Sequence, residues 1–269
     1  NGGDLVEIIF NQQKSTAIVD KFGKWKVSFP ALSSGGTYQM TIQSNKKEII
    51  LKNIVIGDVW FCSGQSNMLF ELIKSKNGKE EAKQANANSN IRLFNSKILR
   101  DTDDTAWDSI TMAKTNQLEF FSGKWAVCDS ITAKDFSAIA YHFGKKIAFE
   151  ENVPIGLIQV AVGGSPIESW IDRYTLEHDD KVVDVLTNWR KSDFMMPWVR
   201  ERANVNLKNA TNIKQRHPYD PCYNFEAGIN TFTEFPIKGV LWYQGESNAH
   251  NVELYEYLMP VMVKNWRKA

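Results

Sequence analysis

Three apolar, β-branched segments of this chain are each followed closely by glycine and small polar residues, and this pattern restricts the fold more than any other feature. The first runs from Asn53 to Cys62 and leads into the pentapeptide Gly-Gln-Ser-Asn-Met at 64–68. The second, Ile155 to Val162, ends on a Gly-Gly pair, and the third, Ile237 to Tyr243, continues into Gln-Gly-Glu-Ser-Asn. Because sites in open α/β sheets form beyond the carboxyl ends of the strands, the pattern predicts one pocket at three strand ends.

The pentapeptide places Ser66 on a predicted strand-to-helix turn. A serine on such a turn projects its hydroxyl above the sheet, and the backbone N–H groups of the turn point to the same place. A nucleophile of acyl transfer needs both features. Taken alone the pentapeptide is weak evidence, because most Gly-Xaa-Ser sequences are only turns.

Three motifs taken together resemble the sialate O-acetylesterase family, which comprises carbohydrate esterases of the SGNH-hydrolase superfamily. The motifs are Gly-Asp-Val-Trp-Phe-Cys-Ser-Gly-Gln-Ser-Asn-Met, Gly-Gly-Ser-Pro-Ile-Glu-Ser-Trp and Trp-Tyr-Gln-Gly-Glu-Ser-Asn-Ala, and the resemblance covers residues 53–269. It implies a serine esterase that removes O-acetyl groups from sugars, with Ser66 as the nucleophile. It also implies an oxyanion hole formed by the Ser66 N–H, the N–H of Gly163 or Gly164, and the side chain of Asn248.

The chemistry of ester hydrolysis requires residues of these types. Preorganised neutral donors stabilise the negative charge of the tetrahedral intermediate, and the loss of one donor typically slows the reaction by about 100- to 1000-fold. Glycine lets the backbone approach the substrate, and an asparagine amide donates without introducing a charge. The alternative for Gly163 and Gly164 is an ordinary turn after a strand, and for Asn248 it is a helix cap.

The general base is the point at which the chain departs from the family pattern. The family carries an Asp-Xaa-Xaa-His segment after Gly-Glu-Ser-Asn, whereas only His250 follows that block here. We expect His142 on an amphipathic helix that starts at Ser137, His178 in a solvated turn, and His217 in a His-Pro loop whose order along the chain does not fit a base.

Gln65, Glu246 and His250 are predicted to form the rim of the substrate pocket, because they flank Ser66 and Asn248 in the sequence. His250 is an alternative base. We favour an Asp-Xaa-Xaa-His segment and a last strand that lie beyond Ala269, since the stripe of apolar residues on the predicted helix Val252–Trp266 is typical of a helix that covers a sheet.

The predicted fold class is α/β, with a three-layer, doubly wound, mostly parallel sheet of the SGNH or flavodoxin-like type, preceded by a small antiparallel β-module. We expect residues 1–52 to be the second part of an N-terminal β-domain and 53–269 to be the esterase domain. Short β-runs are predicted at 5–10, 16–19, 25–29, 38–43 and 48–51. The insertion 175–224 is predicted to be a lid in which Asp193, Arg200 and Arg202 face a charged sugar; a solvated helical hairpin is the alternative.

Composition excludes several classes of function. With 32 basic and 31 acidic residues the net charge is +1, so a nucleic-acid partner is not indicated, and no apolar run is long enough to span a membrane. Three widely spaced cysteines indicate neither a disulfide framework nor a metal site, and no cofactor is predicted. The start at Asn1 is consistent with a removed signal peptide and an extracytoplasmic location.

The predicted partner is a small molecule or glycan that carries O-acetyl esters. Two alternatives remain at this stage: an acetylxylan esterase of the same fold, and a non-catalytic carbohydrate-binding protein. The missing Asp-Xaa-Xaa-His segment favours the binding protein, whereas the presence of Ser66, Gly163, Gly164 and Asn248 favours an esterase.

Overall fold

The computed structural model describes residues 1–45, 47–85 and 90–269. Its strands are β1 Leu5–Phe10, β2 Gln13–Ile18, β3 Gly35–Ser44, β4 Lys47–Ile56, β5 Asp58–Gly64, β6 Ile91–Asn95, β7 Lys97–Ile98, β8 Phe121–Ser122, β9 Trp125–Val127, β10 Ile155–Ala161 and β11 Gly239–Tyr243. Its α-helices are α1 Ser66–Leu69, α2 Gly78–Gln84, α3 Ser109–Asn116, α4 Ala138–Glu151, α5 Arg173–Glu177, α6 Pro197–Asn206, α7 Tyr223–Ala227 and α8 Val252–Trp266. None of the described helices is long and apolar enough to cross a membrane.

Residues 1–58 and 147–155 form one compact unit, which contains an antiparallel sheet in the order β2-β1-β3-β4. Val6, Ile8 and Val19 form its small buried core. The β-run predicted at 25–29 is wrong, because this stretch makes no strand. Val27 and Phe29 account for the pattern, since both pack against the core from irregular chain.

Residues 59–146 and 156–269 form the second unit, which contains a five-stranded sheet in the order β11-β5-β10-β6-β9. Strand β11 pairs with β5 in parallel, the short β9 pairs with β6 in the antiparallel direction, and the sheet is mostly parallel. The predicted α/β class with a mostly parallel sheet is therefore confirmed. Strand β9 was not predicted, because its three residues are too few to show a period.

The apolar segment from Asn53 to Cys62, which is predicted from the sequence as a single strand, contributes to two strands. Strand β4 ends at Ile56 and β5 begins at Asp58, with Gly57 between them. A Cβ atom on Gly57 would lie 1.9 Å from the carbonyl oxygen of Pro154, so only glycine fits between these two strands.

The predicted helix over Val252–Trp266 is confirmed with the same bounds.

The insertion 175–224 contains most of α5, two 3₁₀ turns and helix α6. Its buried apolar side chains belong to the main core, among them Val185, Val199, Leu207 and Tyr223. Arg202 donates to the Thr102 carbonyl at 2.7 Å, which also attaches the insertion to the rest of the unit. Closure of this segment over a substrate stays a prediction.

Candidate active site

The carboxyl end of β5 makes a sharp turn that presents Ser66. Gly64 has φ +141°, and a Cβ atom there would lie 2.0 Å from the carbonyl oxygen of Tyr243 in the neighbouring β11. The N–H of Gln65 donates to this same carbonyl at 2.9 Å. Glycine is therefore needed at position 64, because the two strands approach each other too closely for a side chain.

Ser66 is the first residue of α1, a helix of a single turn, and its side chain is exposed. It lines a groove of about 480 Å³ together with Gly163 at the end of β10. Ser63, three residues earlier in strand β5, is completely buried and does not line the groove. The structure thus brings Ser66 and Gly163 to one solvent-accessible space, as the pattern of strand ends predicted.

Two backbone N–H groups at this groove are available to a ligand. Among the described residues, neither the N–H of Ser66 nor that of Gly163 donates a hydrogen bond. The N–H of Ser66 has no intrahelical partner because it belongs to the first turn of a helix. The Gly163 carbonyl accepts from Thr102 Oγ1 at 3.0 Å and from the Tyr219 hydroxyl at 2.8 Å, so this loop is held firmly.

The two adjacent glycines have different roles. A Cβ atom on Gly163 would meet no atom within 4 Å, which is expected for a residue that borders an open groove. Gly164 has φ +73°, and a Cβ atom there would lie 2.4 Å from the Tyr219 hydroxyl. Gly164 is thus required by backbone conformation and packing, and Gly163 is the glycine that faces the groove.

Asn248 lies in the 3₁₀ turn after β11 and is 2% exposed. Its Nδ2 atom donates to both carboxylate oxygens of Glu168, at 3.1 and 2.9 Å. Its Oδ1 atom accepts from the N–H of Ile167 at 3.0 Å and from Gln244 Nε2 at 2.7 Å. The side chain joins the loops after β10 and β11 and does not line the groove, so direct donation to an oxyanion stays a prediction.

Comparison with known proteins identifies the family. A family model described as "Carbohydrate esterase, sialic acid-specific acetylesterase" matches residues 56–193, about half of the chain. The chain belongs to this family. The resemblance that the three motifs indicated is therefore confirmed.

Named members of this esterase family align with nearly the whole chain. The sialate O-acetylesterase of Rattus norvegicus is 27% identical over 278 residues, a match that covers 95% of this chain and 48% of that protein. The sialate O-acetylesterase of Homo sapiens is 24% identical over 264 residues and is covered to 45%. The chain spans about half the length of the curated relatives it matches.

A solved structure has a similar fold. The carbohydrate acetylesterase of Xanthomonas citri superposes with a TM-score of 0.71 at 25% sequence identity, over 100% of this chain and 51% of that chain. The mixed α/β architecture described above is thus similar to that of the matched part of this carbohydrate acetylesterase.

The three residues predicted at the rim of the esterase pocket lie in different environments. Gln65 is 3% exposed, and its Oε1 atom accepts from the N–H groups of Gly245 and Ser247 at 3.4 and 3.5 Å, so it braces the turn that carries Asn248. Glu246 is exposed and accepts from Asn67 Nδ2 at 2.6 Å, beside Ser66. His250 is exposed, and its Nε2 atom lies 3.3 Å from the Asp193 carbonyl oxygen.

No histidine among the described residues forms a hydrogen bond with Ser66. His142 is exposed on α4, and the predicted cap of this helix is confirmed, since Ser137 Oγ accepts from the N–H of Ala140 at 3.2 Å. The exposed His178 stacks on Tyr174 with ring centroids 3.9 Å apart.

His217 is a completely buried histidine of the core. It stacks on Trp107 with ring centroids 4.9 Å apart, and its Nε2 atom lies 3.1 Å from Asn206 Oδ1. Burial, reinforced by the charge of Arg190, lowers the pKa of His217 to about 3. The folded protein therefore holds this imidazole in its neutral form.

This lowered pKa of His217 predicts a loss of stability in acid. Above the unfolded pKa of 6.5 both states carry a neutral ring; below it, only the unfolded state binds a proton. We expect the wild type to lose stability relative to His217→Gln as the pH is lowered from about 6 to 4. The difference between their free energies of unfolding should fall by about 1.4 kcal/mol per pH unit. Urea unfolding at three pH values measures this difference, with His142→Gln as the exposed control; a difference that does not change with pH would contradict the prediction.

Sequence reasoning missed the polar floor of the groove. Gln159 is the one polar side chain in the buried strand β10, and its Nε2 atom donates to Asn95 Oδ1 at 3.2 Å. Asn95 in turn donates to the Asp135 carbonyl at 2.9 Å. A glutamine in an otherwise apolar buried strand was the available signal, because buried polar groups need partners or ligands.

The groove is also charged. Lys74 and Glu71 form an ion pair at 2.9 Å, and Lys97, Asp101 and Asp135 complete the charged lining. Asn95, Lys97 and Asp135 also line a second cavity of about 460 Å³, which therefore adjoins the groove. A lining of mixed charge rich in hydrogen-bonding groups suits the hydroxyl groups of a sugar.

Proposed function

We propose that this chain carries the nucleophile and the oxyanion hole of a serine esterase that removes acetyl groups from O-acetylated carbohydrates. The observation that carries the proposal is the exposed Ser66, which shares a groove with Gly163 while both of their N–H groups lack partners among the described residues. The Ser66 hydroxyl attacks the acetyl carbonyl carbon, and the two N–H groups stabilise the charge on the carbonyl oxygen. The sugar oxygen then takes up the proton that Ser66 loses and leaves as a hydroxyl group, and water hydrolyses the acetyl-enzyme to acetate and free Ser66.

The finer features of the fold belong to the same proposal. A doubly wound, three-layer sheet of the SGNH type is supported by the strand order and by the structural similarity to the Xanthomonas citri esterase. An O-acetylated sialic acid is the substrate that the names of the relatives favour. An extracytoplasmic location is also proposed, and fractionation of cells that produce the protein would test it.

Release of acetate from O-acetylated sialic acid and from acetylated xylan tests the proposal. Preference for the first substrate supports a sialate esterase, and preference for the second supports the acetylxylan alternative. Tight binding of an acetylated sugar without any release of acetate would instead show a carbohydrate-binding protein.

His250 provides a further test of the mechanism. Because its ring is directed to the Asp193 carbonyl, we expect His250→Ala to change kcat by less than about threefold and to leave the pH–rate profile unchanged. The measurement is the hydrolysis of p-nitrophenyl acetate between pH 5 and 9. Loss of an activity that rises between pH 6 and 7 would assign the general base to His250.

A further inference from the structure

Glu168 is a buried carboxylate for which the proposed reaction has no use. It lies in the 3₁₀ turn Ile167–Trp170 and is 0% exposed. Among the described residues no cation pairs with it, and the polar side chain at its carboxylate is that of Asn248. Because an unpaired buried carboxylate is costly, a position that holds one needs a physical reason.

The hydrogen bonds of Asn248 supply that reason. An ionised carboxylate only accepts hydrogen bonds, so the amide nitrogen of Asn248 must face Glu168. The amide oxygen is then directed to the Ile167 N–H and to Gln244 Nε2, at 3.0 and 2.7 Å. If the amide were reversed, its oxygen would face the carboxylate, and its NH₂ group would face two other donors. Glu168 on one side and the two donors on the other therefore favour the same single orientation of this side chain.

We propose that Glu168 is a positioning residue of the esterase site: its carboxylate fixes the amide of Asn248, and this amide ties the loop that carries Gly163 to the loop after β11. The inference rests on the proposed function, since it is the oxyanion hole that needs the fixed loop. Two neighbouring hydrogen bonds also join these two loops. Ser247 Oγ donates to the Gly164 carbonyl at 2.9 Å, and Gln244 Nε2 donates to the Ser165 carbonyl at 3.2 Å.

The pKa of Glu168 reflects both its burial and its hydrogen bond to Asn248. Burial raises its pKa to about 7, while the hydrogen bond from Asn248 lowers it. The bond to Asn248 therefore favours the ionised form, which is the form that accepts from the amide. No charged side chain of another element contributes to this shift among the described residues.

The first experiment compares Glu168→Gln with a matched control. The glutamine keeps the shape but replaces one of the two carboxylate oxygens that accept from Asn248 with an NH₂ group, which weakens the constraint on the amide. We expect kcat for p-nitrophenyl acetate to fall about 10- to 100-fold with KM changed less than threefold, because the loop loses its fixed position. Glu226→Gln is the control: Glu226 accepts from Arg173 and Arg216 at 2.9 and 2.7 Å and forms no hydrogen bond with Asn248 among the described residues, so kcat of this variant should stay within about twofold.

A double variant separates a positioning role from a general loss of structure. Glu168→Gln combined with Asn248→Asp moves the carboxylate to position 248, where it accepts from the amide introduced at position 168 and still accepts from Ile167 and Gln244. We expect kcat of this double variant to be at least about tenfold higher than that of Glu168→Gln alone. Recovery of melting temperature without recovery of kcat would show a merely structural role for Glu168 and would overturn the proposal.

Ser66→Ala distinguishes the two ways of failing. Hydrolysis that Ser66→Ala reduces but Glu168→Gln leaves within about twofold of the wild type would overturn the positioning role alone. Hydrolysis that Ser66→Ala does not reduce would overturn the proposed function together with the inference that rests on it.

Discussion

Ser66→Ala in the intact protein, with its general base, is expected to lower kcat for p-nitrophenyl acetate by about 10⁴- to 10⁶-fold, the size of effect seen when a serine nucleophile is removed. The reason is chemical, since alanine has no oxygen that could form the acetyl-enzyme. The fold should be unaffected, because the Ser66 side chain is exposed and makes no hydrogen bond among the described residues. Thermal unfolding of the variant should therefore match the wild type.

Ser63→Ala is the matched control for this experiment. Ser63 lies in β5, the strand that leads to Ser66; it is 0% exposed, and its hydroxyl has no hydrogen-bond partner in the described part of the chain. The same substitution there should leave kcat within about threefold of the wild type. If Ser66→Ala retained the wild-type rate, or if Ser63→Ala abolished it, Ser66 would have to be assigned a structural role.

Gly163→Val is expected to lower kcat/KM by at least about 100-fold, comparable to the loss of an oxyanion donor. A Cβ atom at this position meets no atom within 4 Å, so the valine side chain fits the fold but occupies space at the groove where the acetyl group is proposed to bind. The melting temperature should consequently change little. The measurements are steady-state hydrolysis and thermal unfolding of the same preparation.

Gly164→Val tests the distinction between the two glycines. Its φ of +73° and the 2.4 Å contact of a Cβ atom with the Tyr219 hydroxyl predict a destabilised protein, with strain of about 1–3 kcal/mol before the clash is counted. We therefore expect Gly164→Val to lower the stability of the protein and Gly163→Val to lower its activity. Full activity of the Gly163→Val variant would remove this strand end from the mechanism.

Much of the fold followed from local patterns in the sequence. The helix Val252–Trp266 was predicted with its observed bounds, since the stripe of apolar residues and its period are properties of the segment itself. The mostly parallel sheet and the meeting of strand ends at Ser66 and Gly163 followed from β-branched runs that end in glycine. The three ordered motifs also sufficed to indicate the family that the comparisons confirm.

The sequence by itself therefore determined the α/β class, the position of Ser66 on its turn and the family. The tertiary structure decided which glycine faces the groove, where the amide of Asn248 points and why His217 belongs to the core. Each of these depends on partners far away in the chain, such as Glu168, which lies 80 residues from Asn248. Local periodicity encodes which face of a segment is buried, but the direction of a buried polar side chain is set by the donors and acceptors that folding brings around it.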